Sequence, residues 1–207
     1  MLANKMTTAA NAIVLQYAAP AYIILYLLII KKQRQQWQDI MACILVFIGL
    51  ICFFIDGLSI GGMLGNVLAA VSGVTFAGFC ITGSREGADN ISMITFGFML
   101  SAIIGVPFIA TETDFSALTL SMAAILGIFQ MGIAYICFGI GLKSTGAVAT
   151  SLISGLEPIL NPVWVALIYK ETMGKTALIG AVIVIVAILG YNVVTAKKAE
   201  NKKSEAA

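Results

Sequence analysis

Thr150, Ser154, Glu157 and Asn161 follow one another at intervals of four, three and four residues, the spacing that stacks side chains on one face of an α-helix. Most of the residues between them are apolar, so Glu157 is an acidic group well inside a hydrophobic run. Taking a carboxylate to the middle of a bilayer costs about 2.5 to 3.5 kcal/mol on insertion scales, so such a group points to cation binding or proton carriage. Pro158 and Pro162 stand in the same run. Proline has no N–H, so each leaves a carbonyl four residues earlier, that of Ser154 or Pro158, open to water, a side chain or a ligand. The pattern predicts a broken helix lining a substrate cavity. The structural alternative is a Glu157 that caps or pairs locally at a kink. Gln130 and Tyr135, and Asn11, Gln16 and Tyr17 just before Pro20, are weaker candidates for substrate contact. Single polar groups in apolar helices more often hydrogen-bond between helices.

Catalysis is poorly provided for. The chain has no histidine, which removes the commonest general base, zinc ligand and haem ligand together. Cys43, Cys52, Cys80 and Cys137 lie in apolar runs without a C-x-x-C spacing, so neither a disulfide framework nor a metal site is expected. Gly57-Leu58-Ser59-Ile60-Gly61 matches the pattern of a hydrolase nucleophile elbow, but that motif needs a base and a preceding strand, and neither is indicated. No G-x-x-x-x-G-K-[ST] loop occurs, which argues against a nucleotide-driven pump. The reading is of a protein that is not an enzyme and carries no cofactor.

The elements that must position Glu157 follow from composition. Of 207 residues, 60% are hydrophobic and 11% charged, with a mean hydropathy of +1.00. A soluble domain has a surface about a quarter charged, so lipid must cover this one. The net charge of +2 includes no long basic face for nucleic acid. Seven apolar runs approach the ~20 residues that span a bilayer: 7–30, 39–55, 62–82, 92–110, 118–142, 147–169 and 176–194. An all-α integral membrane protein of about seven transmembrane helices is therefore predicted. Lysines and arginines concentrate at Lys31, Lys32, Arg34, Arg85, Lys143 and the Lys-rich tail, against Lys5, Lys170 and Lys175 on the opposite side. The positive-inside rule then sets the carboxyl end in the cytoplasm. Seven crossings place the amino end outside, which implies further chain before Met1. Gly65, Ala69, Gly73 and Ala77 recur every four residues, a face that lets helices approach closely. Packing against a neighbouring helix is its first reading and a homodimer contact the alternative.

Sliding the chain on itself brings Lys5-Met6-Thr7 over Lys143-Ser144-Thr145 and Pro20 over Pro158, with Ala42 and Gly49 over Gly180 and Ala187. Spans one and two thus read as a copy of spans six and seven, crossing in the opposite direction. Inverted repeats of this kind are the architecture of secondary transporters.

Gly132-x-x-Tyr135, Thr145-Gly146-Ala147, Leu156-Glu157-Pro158, Lys170-Glu171 and the Gly180 to Gly190 stretch occur in this order. Together they resemble the repeat of the EamA family within the drug/metabolite transporter (DMT) superfamily. The resemblance implies a partial first repeat of two helices in residues 1–56, a complete five-helix repeat in 62–195 and a cytoplasmic tail in 196–207. It also implies a gradient-driven exporter of small polar metabolites such as amino acids in the plasma membrane, working by alternating access between repeats. The family's ten-helix fold would leave three helices missing here. A truncated, non-transporting membrane protein or interaction subunit is therefore the alternative.

Overall fold

A computed structural model describes residues 6–60, 62–109, 115–169 and 174–205. Lys5, Lys170 and Glu171, which entered the charge, repeat and resemblance arguments, lie outside them. The described chain is helical, and six of its helices are long and apolar enough to cross a membrane. They occupy 9–29, 37–57, 63–83, 90–107, 117–145 and 175–198, close to six of the seven apolar runs. The remaining run, 147–169, is divided into two half-helices, each too short to cross alone. Large apolar side chains point outward along the helices, Phe96, Ile103 and Val186 among them. That is the surface of an all-α integral membrane protein, since only lipid can cover it.

The chain divides into two compact units, one of residues 1–81 with 147–207 and the other Thr82–Gly146. In the first unit, α1 (Ala9–Gln16) starts where the Thr8 hydroxyl accepts the Asn11 N–H at 3.1 Å. It stops at Tyr17, and α2 (Ala19–Ile29) restarts with Pro20 in its first turn, the position where a missing N–H costs nothing. α3 (Trp37–Phe54) opens with a capping box between Gln36 and Asp39. A short 3₁₀ turn (Ile55–Gly57) leads towards α4 (Met63–Gly83). The chain re-enters this unit at α8 (Ala147–Ser154), continues in α9 (Glu157–Tyr169) and ends in α10 (Lys175–Glu205). α10 thus runs well beyond the apolar segment that ends at Val194.

α3 and α10 lie antiparallel, bound at both ends and in the middle. Lys198 donates to the Gln36 side chain at 2.9 Å and Tyr191 to Asp39 at 3.0 Å, while Thr176 donates to Asp56 at 3.1 Å. Between these, Gly49 and Gly180 bring the backbones together. A methyl group on Gly180 would lie 2.6 Å from the Gly49 carbonyl oxygen and closer still to the Phe53 nitrogen. Leu50, Leu152, Ile159 and Val184 are fully buried around this contact, in a cluster that also holds Val14 of α1. In lipid the apolar effect does not favour helix contact over lipid contact, so close packing at small residues carries the association. The small-residue face of α4 is used in the same way inside the chain. A methyl group on Gly73 would meet the Leu15 carbonyl and the Tyr22 ring, both at 2.8 Å, and Ala69 and Ala77 are buried.

The second unit holds α5 (Asn90–Ile109), α6 (Ala117–Ile125) and α7 (Ala134–Thr145), the last two joined by a π-helical stretch (Leu126–Ile133). α5 packs on α7 where Gly139 leaves room for Ile94, and the buried Asn90 amide donates to the Gly139 carbonyl at 2.7 Å. Gly146, with φ +81°, ends α7 by donating its N–H to Leu142, a conformation that favours glycine.

Asp89 caps α5, accepting the Ser92 hydroxyl at 2.6 Å and the Ser92 N–H at 3.1 Å. The Ser92 side-chain bond foremost, then its backbone bond, hold the Asp89 carboxyl below its usual 3.8, and Lys143 adds a smaller pull. A depressed folded value means that the cap's contribution is complete above the unfolded value and lost as pH falls through the folded one. Asp89→Ala should therefore lower the thermal unfolding midpoint in detergent more at neutral pH than below the depressed value, where a neutral carboxyl can still accept the Ser92 N–H. An equal loss in both conditions would show that the charge of Asp89 adds nothing to its cap on α5.

Candidate functional site

Two spans are interrupted in the first unit, and the interruptions match. α1 and α8 start at Ala9 and Ala147, α2 and α9 at Ala19 and Glu157, and α3 and α10 at Trp37 and Lys175, all at one constant offset. This is the same offset that superposes Pro20 on Pro158. In the 147–169 run the chain turns at Gly155 and Leu156, whose N–H groups reach back only three residues, to Leu152 and Ile153. Ile159 and Leu160 then both donate to the Leu156 carbonyl. Pro158 cannot donate to Ser154, and it falls in the first turn of α9, which it starts rather than breaks. Pro162 lies within α9, which continues past it to Tyr169.

Glu157 is the first residue of α9 and is exposed. The open N–H groups and dipole of a helix N-terminus favour an anion there. Its Oε2 accepts a hydrogen bond of 2.8 Å from the hydroxyl of Tyr17, the half-buried residue at the interruption between α1 and α2. The side chains at the two interruptions are therefore in direct contact. An exposed carboxylate inside a membrane span needs water or a polar partner, because lipid alone would charge it several kcal/mol.

The other sequence candidates fall in different places. Thr150 is buried on α8, and its carbonyl accepts the hydroxyl of the half-buried Ser154 at 2.9 Å. Asn161 is exposed on α9, one turn beyond Glu157. The four-residue stripe thus runs across the turn between two half-helices instead of along one helix. Gln16 is exposed at the end of α1, beside Tyr17. Asn11 is buried and occupied: its amide donates to the Ser59 carbonyl at 2.7 Å and to Thr7 and Asn66 at 3.2 Å, and accepts the Ser59 N–H at 3.1 Å. It ties α1 to the 3₁₀ exit and to α4, so Ser59, the candidate nucleophile of the elbow pattern, is a structural link.

Gln130 and Tyr135 belong to the second unit. Gln130 is exposed in the π-helical stretch, a geometry frequent at functional positions. Tyr135 packs edge-on against Phe98 with ring centroids 5.2 Å apart. The polar contacts that sequence reasoning missed include Asp39 with Tyr191, Thr7 with Asn66, and Asn90 with Gly139. Asp39 and Tyr191 stand near span ends, where polar residues are common, and Asn90 starts a helix, so no local signal marks them.

A model of the EamA-like transporter family matches residues 63–193. A protein of Clostridium kluyveri described as an uncharacterized transporter is 27% identical over 216 aligned positions, covering 97% of this chain and 68% of that one. A solved crystal structure superposes with a TM-score of 0.73 over 96% of this chain and 71% of the other. The two are 18% identical, so the likeness is one of fold.

Proposed function

The chain belongs to the EamA-like transporter family, and from that membership we propose that it is a gradient-driven carrier of the drug/metabolite type. It exports small polar metabolites such as amino acids by alternating access. Glu157 is its cation-binding or proton-carrying group. The observation that carries this reading is the contact between two interrupted spans, with an intramembrane carboxylate at the point of contact. Discontinuous helices in matching positions of two repeats are where secondary carriers hold substrate and coupling ion. The constant offset between the half-helices supports residues 1–56 and 62–195 as a partial and a complete repeat, and the antiparallel course of α3 and α10 supports their crossing in opposite directions.

Purified chain in proteoliposomes loaded with labelled amino acids should show efflux that depends on an imposed proton or sodium gradient. Folded, inserted protein that moves none of them under either gradient would favour an interaction subunit instead.

The carrier sits in the plasma membrane with its carboxyl end in the cytoplasm, as the asymmetry of lysine and arginine supports. In a background without the native cysteines, Ser84→Cys should react with an impermeant thiol reagent only from the cytoplasmic side. Ser116→Cys should react only from outside. The reverse pattern would overturn the orientation.

A further inference from the structure

The Glu157 carboxylate is already engaged, and by a donor from its own chain. Among the described residues, the Tyr17 hydroxyl is the donor in the one hydrogen bond that the Glu157 side chain makes. We propose that Tyr17 is a specificity-determining latch: its O–H occupies Glu157 in the unloaded carrier and is displaced by the ammonium group of a primary-amine substrate. This rests on the reading of Glu157 as the cation-binding group.

The surroundings favour an N–H-rich cation. A primary ammonium brings three donors and a positive charge to the Oε2 that accepts the neutral Tyr17 hydroxyl, and bonds between two charged groups are stronger than those with a neutral donor. The Ser154 carbonyl, which Pro158 cannot serve, lies in the same interruption and is a further acceptor. α1 ends at Tyr17 and α8 at Ser154, and the carbonyl ends of helices carry partial negative charge that attracts cations. The Tyr17 ring stays in place when its hydroxyl gives up the bond, and the face of a tyrosine attracts ammonium groups. A bare proton would not open the latch. Protonated Glu157 could still hydrogen-bond to the phenol oxygen, with the direction of donation reversed.

The latch predicts that removing its hydroxyl tightens binding. Wild-type, Tyr17→Phe and Glu157→Gln chains, each in phosphatidylcholine–phosphatidylglycerol nanodiscs, are titrated calorimetrically with n-butylammonium, tetramethylammonium and butyrate. Tyr17→Phe keeps the ring and loses the competing donor, so its Kd for butylammonium should fall at least about tenfold, the lower end for one hydrogen bond to a charged group. Tetramethylammonium, without an N–H, should bind the wild type more weakly than butylammonium, and butyrate should not bind.

Butylammonium bound by Tyr17→Phe no more tightly than by the wild type, with binding still lost in Glu157→Gln, would overturn the latch and leave Glu157 as the cation site. Binding unaffected by Glu157→Gln would overturn the underlying reading instead. No binding of butylammonium to any variant would overturn the substrate class. A second readout needs no mutation. In wild-type chain carrying ¹³Cζ-tyrosine, assigned through Tyr17→Phe, the Tyr17 resonance should move as butylammonium saturates. A resonance that stays fixed at saturation would also overturn the latch.

Discussion

Glu157→Gln should lower gradient-driven flux at least about thirtyfold while the protein inserts and folds as before. Removing one member of a desolvated charge pair costs about 2 to 5 kcal/mol, and about 2 kcal/mol corresponds to that thirtyfold loss. Glutamine keeps the size of the side chain and an oxygen to accept the Tyr17 hydroxyl, so the contact between the two interruptions can persist. Insertion should be no harder, because an uncharged side chain replaces a charged one in the span. The size of the effect separates the readings. If Glu157 only caps α9, its charge is worth about 0.3 to 1 kcal/mol at a helix N-terminus, and transport should change little. Flux in proteoliposomes within about twofold of the wild type, at matched protein content, would reduce Glu157 to that capping role.

Gly180→Ala should destabilise the protein by about 1 to 3 kcal/mol, the usual cost of forcing an extra methyl group into a packed contact. The new methyl would meet backbone atoms of Phe53 and Gly49 on the facing helix, which cannot rotate aside as a side chain could. α3 and α10 would have to separate and loosen the buried cluster around Leu50 and Val184. Gly190→Ala in the same helix is the control. Gly190 has nothing within 4 Å of where its methyl would stand, so the change should gain about 0.5 to 1 kcal/mol of helix propensity. Denaturant unfolding of both variants in one detergent tests this. Equal stability of the two would show that the α3–α10 contact is not tightly packed at Gly180.

The fold was largely legible because lipid leaves the backbone few options. An apolar run near 20 residues must satisfy its own N–H and C=O groups, and the helix does so within the segment. Six of the seven runs accordingly form helical segments of crossing length, the first of them interrupted at Tyr17. Pro20 and Pro158 are related by one offset, and the helix starts around both follow it. The π-helical stretch at Leu126–Ile133 left no such trace. Its distinguishing bonds depend on backbone geometry that neither composition nor spacing records.

The candidate site was legible only in part. Glu157 stood out because an acidic residue in an apolar run is costly wherever it is placed. Asn11 was a weaker candidate for substrate contact, and its amide is consumed by Ser59, Thr7 and Asn66, the interhelical role such groups more often take. The 3.6-residue period put Thr150, Ser154, Glu157 and Asn161 on one helical face. That argument assumes an uninterrupted helix, and the turn at Gly155 and Leu156 removes the assumption.

The sequence by itself determined the class of molecule, the approximate bounds of six of its spans, the register of its paired interruptions and the one carboxylate that a membrane tolerates only at a cost. These follow from composition, local periodicity and charge, each a property of neighbouring residues. Only the tertiary structure decided that Tyr17 is the partner of Glu157, that Asp39 is held by Tyr191, and that Gly49 and Gly180 bring α3 against α10. Those contacts join residues more than a hundred positions apart, and their geometry depends on how separate helices cross. No local preference of the chain specifies that crossing.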